Sequence, residues 1–325
     1  MFSGGFLQGV SSSVFANIGQ GESLSLRSRL VSIFLRPNKW LYRIFQPSPK
    51  TIRRFVHPQA WLASILVPSI GTQIERTSFG GVPAVSFIPK NHANSDTMIV
   101  FLHGGGYCIG SSLTTHRIGL RNLSKTTGCM CHSIEYRLAP EHPHPAALDD
   151  VLSAWLDIVD TNPNAKLILC GDSAGGGLSL ALMMRLRDEG HKLPHGAVLF
   201  SPWTNLLCDS ETFETKNKTD PMLLTQAAIS VAEHYAPTPI DKKHPYVSPI
   251  YGKYTGLPRT LILVGDQEIL LDDSRLVGER AKAAGADFKV EIWPGMFHDW
   301  WLFGFLIPES KQCLRKVADW IQSGE

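Results

Sequence analysis

Lys166-Leu-Ile-Leu-Cys-Gly171-Asp-Ser173-Ala-Gly175-Gly-Gly-Leu-Ser-Leu-Ala-Leu182 decides how this chain is read. Leu167 to Cys170 form an apolar run of strand length, and the residues from Ser173 onward carry a helical pattern. Between them, Gly171-Asp172-Ser173-Ala174-Gly175 fits G-x-S-x-G. In a nucleophile elbow of that form, a strained turn lifts the serine hydroxyl above the strand end. Glycines on both flanks let strand and helix approach with no Cβ between them. A helix starting at the serine also turns unpaired N–H groups and its positive dipole end toward a developing anion. The bland alternative is a Gly-rich turn with a bystander serine, and two other stretches decide against it.

The first is Phe101-Leu-His103-Gly104-Gly105-Gly106-Tyr107, directly after the strand pattern Met98–Leu102. Three glycines in a row expose backbone N–H groups with no side chain in front of them. That is the hardware of an oxyanion hole, drawn here from Gly105 and Ala174 with Gly104 or Gly106. A phosphate loop is disfavoured, because no Lys-Ser/Thr follows and no G-x-G-x-x-G opens a helix. His103 reads as a loop brace rather than a base.

The second is Trp293-Pro-Gly-Met-Phe-His298-Asp-Trp-Trp, after the last strand pattern. A histidine there can reach the elbow serine, take its proton and return it to a leaving alcohol. The acid that holds the imidazole belongs on the loop after Leu261-Ile-Leu-Val-Gly265, where Asp266, Glu268, Asp272 and Asp273 are eligible. Asp272 and Asp273 suit the first turn of the following helix. Spacing alone leaves Asp266 and Glu268 unresolved.

Around these stretches, strand patterns at 82–88, 129–135, 197–200, 260–264 and 288–293 alternate with helical patterns at 115–127, 146–159, 271–284 and 309–322. The alternation argues for an α/β protein with a mostly parallel sheet covered on both faces. Residues 1–70 read as helical and irregular, with apolar faces such as Leu30, Ile33, Phe34 and Trp40 and arginines on the other side. Residues 202–258 interrupt the alternation and hold one helical piece near 224–235. Trp300, Trp301, Phe303 and Phe305 read mostly as core.

The chain has 325 residues, 43% hydrophobic and 18% charged, with net charge +2, which describes an ordered globular protein without a strong field for nucleic acid. Charge is uneven, however. Eight basic residues (Arg27, Arg29, Arg36, Lys39, Arg43, Lys50, Arg53, Arg54) and no acidic one lie between Ser23 and Ile74. A membrane surface is one partner for such a segment, but a cap helix with a solvated charged face is the favoured reading. Phe55–Ile74 is uncharged apart from His57 but carries Pro58 and Pro68, which argues against a spanning helix. With no charged start of a secretory signal, the expected location is cytoplasmic. Six cysteines show no C-x-x-C spacing and suggest neither a zinc site nor a disulfide framework.

Together these residues resemble the hormone-sensitive-lipase-like family of α/β-hydrolase carboxylesterases. The likeness rests on His103–Gly106, on Glu135-Tyr-Arg-Leu-Ala-Pro-Glu141 with Pro145-Ala-Ala and Asp149-Asp150, on Gly171–Gly176, on Ser201-Pro-Trp203, on Ser248-Pro249 and on Gly295-Met-Phe-His298. The resemblance implies an eight-stranded α/β-hydrolase sheet at 75–201 and 259–325, with a helical cap built from 1–74 and an insertion at 202–258. It implies a serine esterase with Ser173 as nucleophile, His298 as base and no metal or organic cofactor. Glu268 falls where the family's acid stands, with Asp266 the runner-up. Asn205 departs from the family's usual Asp and reads as a structural change. The expected substrates are short- to medium-chain acyl esters or acetylated small molecules, and a homodimer is left open. The rivals are a non-catalytic small-molecule receptor of the same fold, which the presence of His298 argues against, and an interfacial lipase.

Overall fold

Strand residues alternate between two apolar layers in the computed structural model, which describes residues 15–17, 24–45, 48–66, 71–90, 96–304 and 306–323. Val100, Leu102, Leu167, Leu169, Ala197, Leu199, Ile262 and Val264 enter one core. Their neighbours Ile99, Phe101, Ile168, Cys170, Val198, Phe200, Leu261 and Leu263 enter the other. A period of two along strands buried on both faces is what a covered parallel sheet requires.

The strands are β1 (Phe15–Asn17), β2 (Thr72–Phe79), β3 (Val82–Pro89), β4 (Thr97–Leu102), β5 (Met130–Ile134), β6 (Lys166–Asp172), β7 (Gly196–Phe200), β8 (Thr260–Gly265) and β9 (Phe288–Trp293). They form one sheet in the order β1-β9-β8-β7-β6-β4-β5-β3-β2. β2–β3 and β3–β5 pair antiparallel, and every other pair is parallel. β2 to β9 are the eight strands expected for this architecture. β1 corrects the reading of residues 1–70 as unstranded, since Phe15 to Asn17 pair with Val290 to Ile292 on the edge of β9. Three residues carry too little pattern to announce a strand. Its signal lies in the partner edge.

The helices are α1 (Leu26–Phe45), α2 (Pro49–Leu66), α3 (Arg117–Thr127), α4 (Ala146–Thr161), α5 (Ser173–Asp188), α6 (Glu211–Thr215), α7 (Thr225–Tyr235), α8 (Leu271–Ala283) and α9 (Pro308–Ser323). α4, α5 and α8 cover one face through Trp155, Leu178 and Val277, and α3 and α9 cover the other through Leu120, Leu123, Leu314 and Val317. Trp300 and Trp301 are fully buried, and Trp301 stacks on Phe200 at 4.6 Å. Phe305 lies outside the described residues.

α1 keeps its arginines exposed, but it also turns an apolar face outward and buries Lys39. Ser28, Val31, Leu35, Lys39 and Tyr42 are its inward residues, while Leu26, Leu30, Ile33, Phe34, Trp40 and Ile44 are exposed. Lys39 is buried, and its ammonium donates to Asn217 O at 2.8 Å and Asp220 O at 2.5 Å. Among the described residues no helix is long and apolar enough to cross a membrane. Part of the uncharged stretch, residues 67–70, lies outside them.

Candidate active site

Ser173 stands where β6 ends and α5 begins, with φ +52° and 8% exposure. A left-handed φ at a non-glycine residue costs about 1–3 kcal/mol and persists only where the surroundings enforce it. Here the enforcement is close packing. A Cβ on Gly171 would meet Gly175 O at 2.4 Å, and one on Gly175 would meet Leu102 O at 2.0 Å. Neither position admits a side chain. Trp203 N donates to Ser173 O at 2.8 Å and ties the turn to the loop after β7.

His298 lies on the loop after β9, 2% exposed, and its Nδ1 is 2.8 Å from Glu268 Oε2. Glu268 is fully buried on the loop after β8, and its other oxygen accepts from Ser201 Oγ and Gly265 N, each at 2.7 Å. Asp266 takes a different post. Its Oδ1 accepts from Gly295 N at 2.8 Å, bracing the turn before His298, and from Gln267 Nε2 at 2.8 Å. Asp272 and Asp273 fall in the first turn of α8, where Asp273 accepts from Thr204 N at 2.6 Å and Asn205 N at 2.8 Å.

The glycine loop is organised by a buried ion pair. Asp172 Oδ2 lies 3.0 Å from His116 Nε2, and Asp172 Oδ1 accepts the Gly104 N–H at 2.9 Å. Burial opposes both charges, but their mutual attraction prevails, so His116 is raised and Asp172 lowered from their usual values. Because its N–H is engaged by Asp172, Gly104 drops out of the expected set of oxyanion donors. Gly105 and Gly106 border the pocket beside Ser173, and the Ala174 N–H belongs to the first turn of α5, which has no intrahelical acceptor. His103 braces the loop as expected, stacked on Tyr136 at 4.5 Å with Nδ1 2.9 Å from Gly104 O.

Ser173 and His298 open on one cavity of about 660 Å³. Leu35 and Tyr42 of α1 and Ile52 and Val56 of α2 form part of its wall, with Leu224 and Val231 from the segment between β7 and β8. A nucleophile candidate, a carboxylate-bound imidazole and free backbone donors therefore share one largely apolar chamber.

A family profile described as alpha/beta hydrolase fold matches residues 99–302. The chain belongs to the α/β-hydrolases. It is 34% identical to an acetyl-hydrolase of Streptomyces hygroscopicus over 75% of this chain and 84% of that protein. It is 35% identical to an esterase of Acinetobacter venetianus over 72% of this chain and 77% of that one. A crystal structure of an esterase from the bacterial hormone-sensitive lipase family superposes with TM-score 0.84 at 33% identity, covering 93% of this chain and 99% of that chain. An esterase/lipase from an uncultured bacterium gives TM-score 0.85 at 33% identity, over 92% and 99%.

Within this α/β-hydrolase one site residue escaped the sequence reading. Asp299, 5% exposed at φ +54°, sets Oδ2 3.1 Å from His298 Nε2, and its Oδ1 is buried with no hydrogen-bond partner among the described residues. Burial disfavours the His298 imidazolium, but Asp299 and Glu268 outweigh it and raise this histidine well above its usual value. Burial in turn pushes Asp299 up to about 7 against the pull of His298, and Asp172 adds to the rise. The available signal was a lone acid inside the aromatic run Phe297-His298-Asp299-Trp300-Trp301. Ser201 was quoted only as part of a motif, and the Asp172–His116 pair left no spacing signature.

Proposed function

We propose that this chain hydrolyses carboxylic esters through a covalent acyl-serine. Ser173 Oγ gives its proton to His298 Nε2 and attacks the ester carbonyl, and the N–H groups of Gly105, Gly106 and Ala174 receive the oxyanion. The tetrahedral adduct collapses as His298 returns the proton to the leaving alcohol. Water, deprotonated by His298, then attacks the acyl-serine, and the carboxylic acid leaves as Ser173 regains its proton. Glu268 holds the Nδ1–H tautomer and stabilises the imidazolium. The observation that carries this reading is the 2.8 Å contact between His298 Nδ1 and Glu268 Oε2, with His298 and Ser173 lining the same pocket.

Substrates of this reading are short- to medium-chain acyl esters or acetylated small molecules. The apolar wall and the acetyl-hydrolase and esterase relatives support that class. α1, α2 and residues 202–258 act as the cap that selects among them, since each contributes pocket residues. The test is turnover of p-nitrophenyl esters from acetyl to palmitoyl, with intact-mass detection of the acyl adduct. Ser173→Ala should lose several orders of magnitude in kcat. Near-normal turnover by that variant would sink the assignment.

A further inference from the structure

α1 is apolar on two sides. Its inward side packs on the protein, and Leu35 and Tyr42 reach the pocket. Leu26, Leu30, Ile33, Phe34, Trp40 and Ile44 recur at helical spacing on the opposite side, where Phe34 is 81% exposed. This is not a scatter of surface leucines. Eleven of the fourteen exposed large apolar side chains among the described residues lie on α1 and α2. An exposed apolar face such as that of α1 marks an interaction site.

The charge beside it says what covers it. Arg29, Arg36 and Arg43 recur every seven residues and are exposed, so they form one row along a margin of the apolar face. Arg27 and Arg54 are exposed as well, and no acidic residue lies between Ser23 and Ile74 to balance them. An apolar stripe bordered by cations fits the interface of an anionic bilayer, with the helix lying in the plane of the surface. A second copy of this chain would bring the same cations against themselves.

We propose that the outward face of α1 docks on an anionic lipid surface. The same helix then separates lipid on one side from the ester pocket on the other. Docking does not depend on the esterase reading, because it is measured without turnover.

The experiment is co-sedimentation of the full chain with phosphatidylcholine vesicles, with and without phosphatidylglycerol, at low and high salt. Strong binding to the anionic vesicles, weakened by salt, is the expected result. Phe34→Glu with Trp40→Glu should weaken binding at least tenfold. Arg29→Glu with Arg36→Glu and Arg43→Glu should remove the preference for phosphatidylglycerol, by roughly a hundredfold. Circular dichroism and turnover of soluble p-nitrophenyl acetate check that both variants fold. A parent that ignores anionic vesicles, or variants that fold and bind as the parent does, would overturn the proposal. So would a dimer in light scattering that the Phe34/Trp40 variant dissociates while vesicle binding is absent. A parent that binds vesicles but turns over no ester keeps the docking and removes the esterase reading. An active parent indifferent to lipid does the reverse.

Discussion

Asp299 Oδ2 lies 3.1 Å from His298 Nε2, the nitrogen that takes the Ser173 proton in the proposed mechanism. The imidazole is thus held between two carboxylates, which raise its proton affinity against the opposing effect of burial. Catalysis by this arrangement should rise with pH as His298 loses its proton. Asp299→Asn removes one anion, so the acid limb of the kcat/KM profile should move down by about one to three pH units. An unchanged limb would show that Asp299 does not govern the base.

Glu268 and Asp266 should separate cleanly in kinetics. Glu268→Gln removes the carboxylate from His298 Nδ1 and should lower kcat by about 10⁴. Asp266→Asn keeps an oxygen for Gly295 N and should stay within tenfold of the parent, with a stability loss of about 1 kcal/mol. Steady-state rates and thermal melts of the two variants decide it.

The Asp172–His116 pair makes a stability prediction with a definite pH window. His116 is raised from 6.5, so its contribution is complete below that value and fades as pH rises through the folded one. Asp172 is lowered from 3.8, so its contribution is complete above that value and is lost only in stronger acid. His116→Ala leaves a buried carboxylate uncompensated and should cost about 3–5 kcal/mol near pH 5 to 6. Urea unfolding across pH should show that difference narrowing in the alkaline range.

Gly175→Ala tests the packing of the elbow. Its Cβ would sit 2.0 Å from Leu102 O, a backbone atom that cannot swing aside. A loss of about 3 kcal/mol is expected, at the upper end for overpacking. Denaturant midpoints measure it, and a neutral result would mean that the strand–helix crossing can open.

Much of this arrangement was legible in the chain. β6 to α5 could be read because apolar period, glycine spacing and serine coincide within seventeen residues, and His298 because its loop follows a clear last strand. Glu268 needed the resemblance, since sequence spacing cannot tell which acid turns toward an imidazole. Lys39 could not be read at all. A lysine on a basic helix looks solvated until carbonyls from residues 217 and 220, far along the chain, close over it. Asp299 hid beside the residue that drew attention, and a left-handed φ is not visible in a non-glycine letter.

That same Lys39 ammonium has a kinetic consequence. It joins α1 to the segment after α6 through two main-chain oxygens, and burial lowers its affinity for a proton. The two halves of the pocket wall, α1 and the segment after α6, are thereby held together in part by a buried cation. Opening one half would mean drawing that cation out and leaving both oxygens unanswered. Any parting of α1 from that segment to admit substrate would carry this cost into its rate.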